Sequence, residues 1–60
     1  MNLEEILDEM QNEMHSAHED LGKFSGGNKS AGTRVRKSMQ SIKSMAQDVR
    51  VQIQEVKNSM

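Results

Sequence analysis

GNKSAGTRVRKSMQSIKSMAQDVRVQIQEVKNSM, residues 27–60, carries two seven-residue rhythms at once. Val35, Met39, Ile42, Ala46, Val49, Ile53, Val56 and Met60 follow one another at alternating steps of four and three. That spacing predicts a helix with a narrow apolar seam, the a/d positions of a heptad. Lys29, Arg36, Lys43, Arg50 and Lys57 recur every seventh residue. At about 3.5 residues per supercoiled turn they form a cationic rail along one edge of the seam. The rest of the chain must cover the seam, and function turns on what the rail touches.

Residues 2–23 predict the first of two helices. Leu3, Leu7, Met10, Met14, Ala17, Leu21 and Phe24 step by four and three, and Ile6 widens the stripe. Asn2 is a natural N-cap, with Glu5 three residues on as its capping-box partner. Ser25-Gly26-Gly27 breaks the pattern, because glycine supplies the left-handed backbone that closes a helix and reverses the chain. Asn28 or Ser30 then caps a second helix over about 28–59. So short a turn, 25–27, makes the helices antiparallel neighbours. Counting outward from it places Leu21 near Val35, Met14 near Ile42 and Leu7 near Val49. Gly32 falls near the turn, where a missing side chain lets the two helices approach closely.

The expected architecture is therefore all-α, a single helical-hairpin domain over residues 1–60. At 60 residues and 33% hydrophobic content, a hairpin buries little surface and is marginal alone. It also covers only one side of each helix. A homo-oligomer is expected, in the first instance a dimer forming a four-helix bundle.

The net charge of −1 conceals a division. Residues 1–28 hold seven acids against Lys23, for −6; residues 29–60 hold seven bases against Asp48 and Glu55, for +5. A cationic edge has two uses. It pairs with acids across a coiled coil, as Asp8 with Arg50, or it tracks a phosphate backbone. Rail cations spaced about 10 Å apart would cover about 40 Å. Arg34 and Lys37 thicken its N-terminal end.

Other chemistry finds little support. The chain has no cysteine, which excludes disulfides and thiol chemistry. His15, His18 and Glu19 share a helix but lack the convergent set a metal needs. The glycines before Lys29 do not follow the G-x-x-x-x-G-K-[ST] spacing of a nucleotide loop. The methionines on the seams read as adaptable core fill. No serine has a base and an orienting acid at informative spacing, and a helical hairpin offers no deep pocket. We expect no enzyme, no cofactor and no small-molecule substrate. The acidic N-terminus is unlike a signal peptide, and no apolar run approaches the ~18 residues of a membrane span.

Gly27-Asn28-Lys29, Ala31, Gly32-Thr33-Arg34-Val35-Arg36-Lys37, Met39-Gln40, Lys43, Ala46, Val49-Arg50 and Lys57-Asn58 together resemble the bacterial linker-histone-like family, known from chlamydial nucleoid proteins. The resemblance covers residues 27–58. It implies a histone-like, sequence-nonspecific DNA-binding protein with a nucleoid-associated or genome-packaging role. Its setting would be the cytoplasm, or a virion if the gene is a phage's. By position it assigns phosphate contact to Lys29, Arg34, Arg36, Lys37, Lys43 and Arg50. Chlamydial members add a lysine-rich tail that has no counterpart through Met60, which implies weak binding that gains strength by oligomerisation. The alternative is a self-assembling helical module that ignores nucleic acid, its cationic half pairing with the acidic halves of neighbouring copies.

Overall fold

A computed structural model describes residues 2–60 and consists of α1, Leu3–Ser25, and α2, Lys29–Ser59. The two run antiparallel as a hairpin rod measuring 51 × 15 × 13 Å. Both helices start where their caps dictate. The Asn2 carboxamide accepts from the Glu5 N–H at 2.8 Å, and the Glu5 carboxylate accepts from the Asn2 N–H at 3.4 Å, completing the capping box. Glu4 and Glu5 occupy the first turn of α1 and Lys23 the last, matching the helix dipole.

The corner is closed by backbone geometry. α1 runs through Ser25, two residues beyond the expected end. Gly26 keeps φ −83°, and Gly27 alone takes the left-handed value, φ 106°. The Gly27 N–H donates to the Phe24 carbonyl at 2.9 Å and the Asn28 N–H to that of Lys23 at 3.0 Å. These are the two bonds of a Schellman motif. Asn28 then turns its carboxamide forward to accept from the Ala31 N–H at 3.2 Å. One residue thus ends α1 and begins α2, and Ser30 is not needed as a cap.

The register is as expected, but the helices are rolled. Met14 lies level with Ile42 and Leu21 with Val35, each pair lining one side of the hairpin. Among the described residues, those withdrawn from solvent on α1 are Leu3, Ile6, Met10, Glu13, Ala17 and Asp20. On α2 they include Ala31, Val35, Ser38, Ile42, Met45, Val49 and Gln52. The expected seams shared only part of this set. Leu7, Met14, Leu21, Phe24, Met39, Ile53 and Val56 are 40–49% exposed, and Met60 is 95% exposed. Each seam has rolled by about one seventh of a turn, roughly 50°. The cause is size. Ala17, Ala31 and Ser38 are among the most buried residues, and such small side chains let two helices approach where Leu7, Met14 or Met39 would hold them apart.

Gly32 meets Phe24. A Cβ at Gly32 would stand 2.6 Å from Phe24 Cδ1 and 2.8 Å from Cε1, so the ring lies against bare backbone. Alanine at 32 gains about 1 kcal/mol of helix propensity but must evict the ring. We expect Gly32→Ala to be destabilising in the native chain. In a Phe24→Ala background the same change should be stabilising by about 1 kcal/mol. Thermal unfolding of the four chains measures that reversal of sign, and equal effects in both backgrounds would refute the contact.

Candidate nucleic-acid interface

The roll of the helices decides where the cations point. Lys29, Arg36, Lys43 and Arg50 share one long edge of α2. Lys29 and Arg36 rim an apolar groove formed by Leu21, Phe24, Gly32, Thr33 and Val35. Farther along, Lys43 and Arg50 flank Ala46 with Gln40, Ser44 and Gln47. The edge sits beside the open side of the hairpin, where Met39 and Ile53 are exposed and Ala46 is half-buried between them. Lys37 projects one position behind it, next to Thr33, Arg36 and Gln40.

Arg34 differs from the other five proposed contacts. Its Nε donates to Asp20 Oδ1 at 3.0 Å, tying α2 to α1 on the opposite side of the seam. The Asp20 side chain is only 14% exposed and the Arg34 side chain 47%. The roll of the helices brings the pair together, and such a half-exposed bridge adds about 0.2–1 kcal/mol. Alternation alone could not reveal it, because Asp20 lies off the apolar positions that define the expected seam.

Lys29, Arg36, Lys37, Lys43 and Arg50 are all exposed and form no ion pair among the described residues. The expected pairing of Asp8 with Arg50 does not occur within the hairpin. The two residues lie on outer edges of different helices, with the seam between them. A further polar contact is local: His15 Nε2 and Glu19 Oε1 are 2.9 Å apart on the solvent side of α1. His18 is not part of it. Among the described residues no three His, Asp or Glu converge on a point where a metal ion could sit. None of the described helices is long and apolar enough to cross a membrane.

The edge presents regularly spaced positive charge with a single aromatic ring beside it, at the Lys29–Arg36 end. Phe24, the lone aromatic residue, is turned against Gly32. Such an edge suits a polyanion's phosphates, whereas base stacking would need exposed rings along the rail.

No curated protein and no solved structure matches the chain. The model of the family described as histone H1-like protein Hc1 matches residues 4–59. That match takes in the acidic helix and the corner as well as the basic stretch, so the chain belongs to the histone H1-like Hc1 family.

Proposed function

We propose that this protein binds DNA through its phosphate backbone, without reading sequence, in a nucleoid-associated or genome-packaging role. The observation that carries the reading is the edge of Lys29, Arg36, Lys43 and Arg50, with Lys37 behind it, all five unpaired within the hairpin, on a chain of a histone-like family. Arg34 joins them only if it exchanges Asp20 for a phosphate. Contact with the backbone releases condensed counterions, and that release is the driving force.

Binding should be steeply salt-dependent. Five neutralised phosphates give a slope of log K on log salt of about −4.5, or roughly a 500-fold loss between 50 and 200 mM. A mobility-shift titration at the two salt concentrations, on protein of measured solution mass, reads this directly. Affinity that ignores salt, or no shift at 50 mM, refutes the proposal.

A self-assembling module without nucleic acid is the second reading, favoured by the width of the uncovered apolar face. It requires that the purified protein leave DNA unshifted at low salt.

A further inference from the structure

One whole side of the hairpin is apolar and uncovered. Leu7, Met10 and Met14 with Ile42 line one shallow groove on it, and Met14, Ala17, Leu21, Val35 and Met39 line the next. The chain exposes 4813 Å², whereas a folded monomer of its 6.8 kDa would expose about 3,950 Å² by the usual scaling. The excess, roughly 850 Å², is close to the area each partner contributes to a standard protein interface, about 800 Å².

The borders of this side carry opposite charge. Along α1 the border is Glu4, Gln11 and His18, with Asp8 and His15 just behind. Gln11 and His18 rim the two grooves. Along α2 the border is the rail. A two-fold axis running across the helices would lay rail on rail, and like charges in apposition are costly. A two-fold axis parallel to the helices instead lays α1 of each copy over α2 of the other.

That second symmetry preserves height along the rod, which makes the pairing specific. Phe24 is level with Gly32 and Met14 with Ile42. By the same count Glu4 and Asp8 bracket the level of Arg50, Gln11 and His15 bracket Lys43, and His18 and Gly22 bracket Arg36. We infer that a second copy of this chain covers the apolar side, about a two-fold axis parallel to the helices, with Glu4 and Asp8 of each copy against Arg50 of the other. Only one rail cation is then met by carboxylates. Arg36 and Lys43 face no acid, and Lys29 and Lys37 lie outside the contact. The inference does not depend on DNA binding.

Sedimentation equilibrium tests it on the full chain. The native chain should be a dimer. Glu4→Lys/Asp8→Lys should weaken the dimer on the order of tenfold at low salt, the effect of turning attraction into repulsion at rim-exposed charges. Adding Arg50→Glu to that chain should restore it. All three positions are exposed, so helix content measured alongside should hold. A monomer, an assembly larger than a dimer, or a dimer indifferent to the swap overturns the inference. So does a weakened dimer that Arg50→Glu fails to rescue, which would point to the crosswise axis. Leu7→Gln/Met39→Gln should yield a monomer, and if that chain unfolds, the charge variants decide alone.

Discussion

Replacing Arg36, Lys37 and Lys43 together with glutamate should lower DNA affinity about three-thousandfold at 50 mM salt. At that concentration counterion release contributes about 1.6 kcal/mol per neutralised phosphate, so three lost contacts remove nearly 5 kcal/mol. The slope of log K on log salt should become shallower as well, by about 2.7, the share of three contacts. These side chains are exposed and hold no partner in the hairpin, so helix content should be unchanged. In the two-fold dimer inferred above none of them opposes a carboxylate, so the solution mass should also hold. A variant that folds, dimerises and still binds as before would remove the rail from the function. Loss of dimerisation alongside DNA binding would instead favour pairing of the basic half with acidic neighbours.

Ile6→Ala should unfold a large fraction of the protein, while Leu7→Ala should not. The two residues are adjacent, both apolar, and differ in what covers them. Ile6 is 4% exposed against α2, and Leu7 is 47% exposed on the open side. Truncating a buried isoleucine costs about 2–5 kcal/mol. Beyond Ile6, the buried apolar residues of the described chain are Ala17 and Ala31, so little remains to absorb that loss. Leu7→Ala should cost the hairpin under about 1 kcal/mol and appear in association instead. Thermal unfolding at several protein concentrations separates the cases. A concentration-independent drop marks Ile6 and a concentration-dependent one marks Leu7. Equal drops would return the seam to the position that alternation alone suggests.

The contrast explains what was legible in the sequence. Helix ends were readable because they depend on neighbours a few residues apart: Asn2 with Glu5, Asn28 with Ala31, and the glycines between. The register was readable because a short corner leaves no freedom to slide. Roll was not, because three positions of each heptad are apolar or small. Leu3, Ile6 and Leu7 offer two overlapping seams, and hydrophobicity favours the bulkier. Close approach favoured the other, through Ala17, Ala31 and Ser38, and left the bulkier residues outside. The row of Lys29, Arg36, Lys43 and Arg50 was legible from its spacing, but the engagement of Arg34 with Asp20 was not. Arg34 belongs to the seam's far border, and only the roll brings Asp20 within reach of it.

Asn28 serves both helices in a single step, and this makes the corner act like a clock gear with no play. A residue inserted in the first turn of α2, just past this cap, would advance everything beyond it by about 100° around the helix axis. A single insertion would turn Met39 and Ile53 away from the side that Leu7 and Met14 occupy, and would swing the cations off their common border with them. The residue count from that cap is therefore a heritable dial. It sets which side of the rod is greasy and which is charged, without touching a residue of either.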